Sequence, residues 1–183
     1  MKNSQEEILN FWFVETKPSQ WFQKNPDFDA EIFNRFSGIY EWAQDGLCDS
    51  WMRTADGCLA LCILLDQFPR NMFRGKPESF KTDSKALFVA KMACGKGYDQ
   101  ILPIIKRRFL YLPFEHAESF DEQKRSLTLF ESIKQEDPTG YEYALRHYTV
   151  IERFGRFPHR NEILGRQSTN DELEFLKLPN SSF

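Results

Sequence analysis

The sequence has few of the residues that build metal centres and disulfide frameworks. It holds 4 cysteines and 3 histidines in 183 residues, and no CxxC, HxxxH or HExxH spacing is present. Cys58 and Cys62 share an apolar run at a spacing of four, the pattern of small core side chains on one helix face. We therefore expect no metal and no cofactor, and a protein suited to a reducing compartment.

Long apolar stretches are missing too. The longest, Cys58 to Leu65, is far too short to cross a bilayer, which takes about 20 residues. The first residues, MKNSQEEILNFWF, carry acidic side chains where a secretion signal needs basic ones. The sequence thus predicts no membrane association and, together with the cysteine pattern, a cytoplasmic protein.

The sequence also lacks the nucleotide-binding motifs GxxxxGK[ST] and GxGxxG, and the motif GxSxG of an activated serine nucleophile. The net charge of −3 and the pI near 5.7 argue against a nucleic-acid partner. The short basic run Lys106–Arg108 has the pattern of a solvated helix face.

What the sequence does have is helical spacing along almost its whole length. Phe28, Ile32, Phe36, Ile39 and Tyr40 form one apolar stripe, after which a glycine closes the segment. No hairpin turn, linker or low-complexity tract interrupts the chain. We predict an all-α protein in which residues 1–183 form a single helical domain.

The run from Cys58 to Leu65 is apolar nearly all round and predicts a central buried helix. We expect this helix to end at Phe68, because Pro69 disfavours the α conformation of the residue before it. Further along, Pro103 and Pro113 bracket an aromatic-rich run that is compatible with two short helices and a kink.

Two segments repeat one pattern. LLDQFPRNMFRG and ERFGRFPHRNEILGR each follow a helix, break at Phe-Pro and continue with Arg-Asn and a glycine. Proline fixes the backbone in both, so we predict two equivalent corners at helix ends, each presenting an arginine. The polar side chains of these corners are the candidate ligand-binding residues: Asp66, Gln67, Arg70, Asn71, Arg74, Arg156, Arg160 and Asn161.

Two interpretations of these corners stay open. Asp66 shares an apolar face with Leu59 and Cys62, so its carboxylate needs a partner, and the corner arginines are the candidates. Either the pairs form a structural clasp, or the guanidinium groups bind a small anion through bidentate hydrogen bonds. If Arg156 belongs to a clasp, Arg156→Ala should lower the melting temperature far more than a surface substitution does.

The candidates for acid–base chemistry are Glu115 and the histidines His116, His147 and His159. Histidine titrates near neutrality, and a nearby carboxylate raises the pKa of its imidazole. Structural roles are the alternative. After Pro113, Glu115 fits the first turn of a helix, where acids are common, and His147 lies at the edge of a buried stripe.

Three blocks of the sequence resemble a known family: LLDQFPRNMFRG, RRFLYLPFEHAES, and HYTVIERFGRFPHRNEILGRQST followed by ELEFL. They are similar to the bacterial domain-of-unknown-function family 924, and the resemblance spans about residues 11–176. It implies a tetratricopeptide-like fold of antiparallel helix pairs and carries no established activity. Ala117 stands where the family usually has serine, and Ala55-Asp56-Gly57 replaces a usual Pro-x-Gly.

The sequence therefore leaves two function classes, and it does not decide whether either involves catalysis. The first is an Arg/His/carboxylate pocket that binds a small anionic ligand, a carboxylate or a phosphate. The second is a tetratricopeptide-like module that binds a protein or peptide, with the corners as a clasp. Exposed tryptophans would favour the second class; the sequence has Trp12, Trp21, Trp42 and Trp51.

Overall fold

The computed structural model describes residues 4–179 and 181–182. The ends of the predicted domain, residues 1–3 and 183, and residue 180 lie outside this description. Regular structure in the described part is helical, with no strand, which confirms the all-α prediction. No helix of the described part is long and apolar enough to span a bilayer.

The α-helices follow one another along the chain with short 3-10 turns between several of them. Their bounds are α1 (Ser4–Asn10), α2 (Pro26–Gln44), α3 (Ala55–Cys62), α4 (Phe68–Met72), α5 (Asp83–Gly95), α6 (Ile104–Glu115), α7 (Phe120–Glu131), α8 (Pro138–Phe154) and α9 (Asn170–Leu176). Two π-helical turns, Phe11–Glu15 and Ile63–Gln67, directly follow α1 and α3.

The described residues group into two compact units. The first unit comprises residues 4–74 and 78–113, and the second comprises residues 75–77, 114–179 and 181–182. The single domain and the tetratricopeptide-like pairing of helices stay predictions.

In the first unit, α2 shows how the sequence sets the helix. The Asn25 side chain accepts hydrogen bonds from the Asp27 and Phe28 N–H groups, which caps the helix next to Pro26. The predicted stripe is buried at Phe28, Ile32, Phe36 and Tyr40, and half-buried at Ile39. α2 packs on α4, while α3 packs on α1 and α5.

The predicted stop at Phe68 is wrong. Phe68 has α-helical angles (φ −59°, ψ −39°), and α4 continues through Pro69 to Met72. The π-helical turn Ile63–Gln67 lies immediately before it, and in α4 proline occupies one of the first two helical positions. The Leu65 carbonyl, which an N–H at position 69 of an α-helix would bond, accepts from the Thr82 hydroxyl at 2.6 Å, so the missing proline N–H leaves this acceptor satisfied.

An aromatic cluster fills the core of the first unit around Phe68. This ring is fully buried, and its centroid lies 4.7 Å from that of Phe36, 5.6 Å from Trp12 and 6.0 Å from Phe11. Edge-to-face and tilted packing of this kind adds stabilisation beyond the buried area.

In the second unit, α7 packs against α8. The Asp137 side chain accepts from the Gly140 N–H at the start of α8, and Gly155 ends it in the left-handed conformation, with φ at 68°. The buried face of α8 carries Ala144, His147, Val150 and Ile151. His147 is therefore a core residue of this unit.

The segment around Pro113 differs from the prediction. Pro113 lies inside α6, and Glu115 is the last residue of that helix instead of belonging to the first turn of the next one. α7 begins only at Phe120. His116 thus lies in a turn just after a helix end, where its backbone carbonyl is available to other groups.

We predict that Phe68→Ala destabilises the protein by about 3–5 kcal/mol, because it removes a ring from a packed core. Phe88→Ala is the matched control, since Phe88 is 59% exposed on α5 and its loss should cost less than about 0.5 kcal/mol. Urea denaturation followed by circular dichroism measures both. Equal losses in the two variants would contradict the packing described.

Candidate functional site

The corner after α3 is tied together within the first unit. Asp66 is fully buried, and its carboxylate accepts from the Gln67 amide at 2.6 Å and lies 3.2 Å from Nη1 of Arg70. Arg70 also donates to both carboxylate oxygens of Asp83, at 2.8 and 3.0 Å, and to the Asp66 carbonyl at 2.6 Å. The Arg70 guanidinium thus bridges two acidic side chains of its own unit.

Asn71 and Arg74 anchor the same corner to α2. Arg74 donates to both oxygens of Asp29 at 2.7 and 2.8 Å, and Asn71 donates to one of them at 2.8 Å. The hydrogen bond with Asp29 raises the pKa of Arg74 above its usual value. In the first unit these contacts favour the clasp interpretation of the predicted residues.

The corner after α8 also contains a clasp. Arg156 donates to the two carboxylate oxygens of Glu172 at 2.7 and 2.8 Å, and to the Gln167 carbonyl at 2.8 Å. Glu172 is buried and completes a capping box with Thr169 at the start of α9. Arg156 therefore holds α9 to the end of α8, and this favours a structural role for it.

Phe157 lies at the centre of the second corner. Its ring is fully buried, with the His147 ring centroid at 5.4 Å, that of His159 at 5.7 Å, and the Arg160 guanidinium carbon 4.5 Å from its centre. Its N–H donates to Glu118 at 2.7 Å, and its carbonyl accepts from Arg166 at 3.1 Å. One buried residue thus organises imidazole, guanidinium and carboxylate groups around itself.

The second unit brings Glu115, His116 and His147 together. Nδ1 of His147 lies 2.8 Å from the Tyr143 carbonyl and 3.3 Å from Oε1 of Glu115, and both side chains are about 4% exposed. The rings of His116 and His147 are 6.0 Å apart between centroids. Because His116 is only half-buried, this cluster reaches towards the surface of the unit.

The backbone of the His116 turn is fixed by two buried side chains. The Gln123 amide donates to the carbonyls of Glu115 and Ala117, at 2.6 and 2.8 Å. Nη2 of Arg160 donates to the His116 carbonyl at 3.1 Å. Three consecutive carbonyl groups are therefore held, which orients the side chains of Glu115 and His116.

The pKa values of two groups in this site are lowered. Burial, reinforced by the charges of His116, Arg160 and His159, lowers the pKa of His147 well below its usual value, so its imidazole is neutral at pH 7. Burial alone would raise the pKa of Glu118, yet hydrogen bonds from Arg166 and Phe157 and the charges of Arg160 and Arg166 lower it. The charge of Arg160 contributes to both shifts.

An open groove of about 630 Å³ borders this site in the second unit. Its walls offer His159, Arg166, Gln167 and Ser168 as polar groups, with one acid, Glu162. The apolar wall consists of Pro158, Leu173 and Leu176. Its volume and mixed lining suit a small organic molecule.

The remaining predicted residue, Asn161, supports the groove. It is 1% exposed, and its amide donates to the Ser168 hydroxyl at 3.0 Å while its carbonyl oxygen accepts from Arg166 at 2.9 Å. Arg166, missed by the sequence analysis, is further held by both oxygens of Glu118, at 2.6 and 2.9 Å. In the sequence, Arg166 directly follows Gly165 of the second corner, and this position could have marked it as a candidate.

The structure also assembles a group with metal-ligand chemistry. Glu115, His116 and His147 each place one ligand atom within 4.8 Å of the others. Spacing motifs such as HxxxH and HExxH do not detect this set, because it combines a helix end with a residue of α8.

Comparisons with known proteins agree with the family resemblance. The family model described as a bacterial protein of unknown function (DUF924) matches residues 8–180. A solved structure of a protein of unknown function from Agrobacterium tumefaciens is 39% identical, with a TM-score of 0.90 over 94% of this chain and 96% of that one. No curated protein matches the chain.

The clasp between Arg156 and Glu172 predicts a specific dependence of stability on pH. The hydrogen bond from Arg156, with help from the Thr169 N–H, lowers the pKa of Glu172 from 4.5 to about 2. A lowered carboxyl pKa stabilises the fold above the unfolded-state value, and this stabilisation is lost as pH falls through the window from 4.5 to about 2.

We therefore expect wild type to exceed Glu172→Gln in unfolding free energy by a constant amount above about pH 5.5, and this difference to shrink towards about pH 2. Asp171→Asn is the control, because Asp171 is exposed and its contact with Arg153 is longer, at 3.3 Å. Urea denaturation across this pH range measures the difference. The same pH dependence for Asp171→Asn would contradict the clasp.

Proposed function

The chain belongs to the bacterial family of unknown function DUF924, and from its geometry we propose that the second unit binds a small organic anion, a carboxylate or a phosphate. The observation that carries the proposal is the open groove of the second unit, whose walls present His159, Arg166, Gln167 and Ser168 with one acid, Glu162. The pKa shifts agree with it: burial is the main cause that lowers the pKa of His147, and the charge of Arg160 contributes to lowering the pKa of both His147 and Glu118. The positive charge of Arg160 favours an anion placed nearby.

The groove supplies the directional contacts. The His159 ring and the Gln167 side-chain amide both lie in the groove wall. The Ser168 hydroxyl oxygen already accepts from Asn161, so its own proton can be donated to a ligand. These donors would hold the charged head group.

The arginines have different roles in this proposal from those first expected. Arg70 and Arg156 are engaged with carboxylates and position the corners. Arg166 lines the groove and is ion-paired with Glu118, whereas Arg160 is buried beside the groove with its Nη2 bonded to the His116 carbonyl. Arg160 would therefore supply most of the positive charge that an anion experiences. The apolar side chains Leu173 and Leu176 would pack against the carbon skeleton of the ligand.

The site also contains what acid–base chemistry requires. A neutral imidazole, His147, lies beside the carboxylate of Glu115, and two further imidazoles, His116 and His159, lie near the same Phe157–Arg160 corner. Of these groups, His159 lines the groove, so any acid–base step on the bound anion would use His159 first.

The alternative, a tetratricopeptide-like module for a peptide or protein, has weaker support. Of the tryptophans, Trp42 is 44% exposed and Trp51 is half-buried, whereas Trp12 and Trp21 are buried at 0% and 7%. By the criterion of exposed tryptophans, one well-exposed indole supports a peptide module only weakly. A binding screen separates the two functions, because a peptide module gives no response to small anions.

We expect the purified protein, kept in chelator, to gain thermal stability with inorganic phosphate or with members of a panel of small carboxylates and phosphorylated metabolites. An anion at about 100 times its dissociation constant adds ~2.7 kcal/mol, which is a shift of several degrees. His159→Ala should remove at least half of this shift, because it deletes a donor of the groove wall.

The matched control is Lys177→Ala, which removes an exposed positive charge of the same unit outside the groove. It should leave the shift unchanged. A flat response of the wild type to the whole panel, or an equal loss of response in the two variants, would count against the anion site.

A further inference from the structure

We propose that Glu115, His116 and His147 form a binding site for a divalent transition metal, with zinc as the physiological class of ion. Their ligand atoms lie within 4.8 Å of one another, and two of the three residues are buried. Zinc holds its ligands at about 2.0–2.2 Å, so modest side-chain rotations would close the set onto one ion. His116, which is half-buried, has the most room for such a rotation.

The ligand chemistry points to zinc over calcium or magnesium. Two imidazoles and one carboxylate are a set that zinc uses in catalytic sites, where a fourth position stays open for water or substrate. Calcium and magnesium require oxygen ligands, which this cluster supplies only through Glu115. Zinc and cobalt accept mixed nitrogen and oxygen ligands.

Side chains that are not themselves ligands hold the backbone of the proposed metal site in place before any ion binds. Gln123 is fully buried and holds the carbonyls on both sides of His116, while Arg160 holds the carbonyl of His116 itself. A turn fixed at three consecutive carbonyl groups presents Glu115 and His116 in a defined orientation. Outer groups of this kind are a regular part of protein metal sites.

The tautomer of His147 is also fixed in a way that is typical of metal-binding histidines. Its Nδ1 lies 2.8 Å from the Tyr143 carbonyl, and this contact is a hydrogen bond only when Nδ1 carries the proton. That tautomer places the lone pair on Nε2, the nitrogen through which histidine often binds metals. The backbone of α8 thus selects the tautomer that a metal ligand needs.

Charge sets the expected strength of the site. Glu115 supplies one negative charge, while Arg160 opposes a dication. Glu118 and Glu172 offset Arg166 and Arg156 through their ion pairs. We therefore expect moderate affinity that increases when an anion completes the coordination, although metal binding itself does not depend on the anion proposal.

Cobalt(II) is the probe, because its visible absorption reports coordination directly. Protein stripped with chelator and then dialysed in non-coordinating buffer should bind one equivalent of Co²⁺ with an intense visible spectrum typical of four or five ligands, and Zn²⁺ should displace it. His116→Ala should weaken binding more than about 100-fold, since loss of an outer group alone costs about 10–100-fold. Circular dichroism confirms that the variant is folded.

Glu174→Gln is the matched control, because Glu174 is an exposed carboxylate of the same unit that lies outside the metal set, and it should keep wild-type Co²⁺ affinity. Glu115→Gln provides a second ligand variant that preserves side-chain shape and should also bind weakly. Absence of stoichiometric binding by wild type, equal affinity in His116→Ala, or a thiolate-to-cobalt absorption band that places the ion on a cysteine would overturn the proposal.

The two proposals fail separately. The anion shift is measured in chelator and depends on His159, whereas the cobalt spectrum is measured without added anion and depends on His116. A phosphate response without cobalt binding contradicts the metal-site proposal alone. Cobalt binding without any anion response contradicts the proposed function alone.

Discussion

The burial of Phe157 is the constraint on which the second unit depends. The chain reaches it through Gly155 in the left-handed conformation and leaves it through Pro158, so its backbone direction is set on both sides. Once the ring is buried, its N–H and carbonyl must find partners inside the unit, and Glu118 and Arg166 provide them. The imidazole and guanidinium groups around the ring follow from this one placement.

The two corners use similar sequences for similar contacts. After α3, Arg70 and Arg74 are held by Asp83 and Asp29, so their charge serves the packing of the first unit. After α8, the pair of Arg156 and Glu172 has the same structural role. Arg160 lies over the Phe157 ring and donates to the His116 carbonyl, much as Arg70 lies over the Phe80 ring and donates to the Asp66 carbonyl. What distinguishes Arg160 is that the turn it holds carries His116, one of the proposed metal ligands.

Local features of the fold were predictable because they arise from local chemistry. The apolar stripe of α2 can be read directly from the sequence. The passage of a helix through Phe68–Pro69 could not, because it relies on a π-helical turn that no spacing rule anticipates. The meeting of Glu115 with His147 could not either, since it is created by packing between residues of different helices.

The most direct test of this account is the protonation state and tautomer of His147, read from the ring nitrogen shifts and ring proton couplings of the ¹⁵N-histidine-labelled protein in chelator at pH 7. The structure predicts a neutral ring with its proton on Nδ1, bonded to the Tyr143 carbonyl, and a lone pair on Nε2. A charged imidazolium, or a neutral ring with its proton on Nε2, would contradict both the electrostatics and the ligand chemistry assigned to this site.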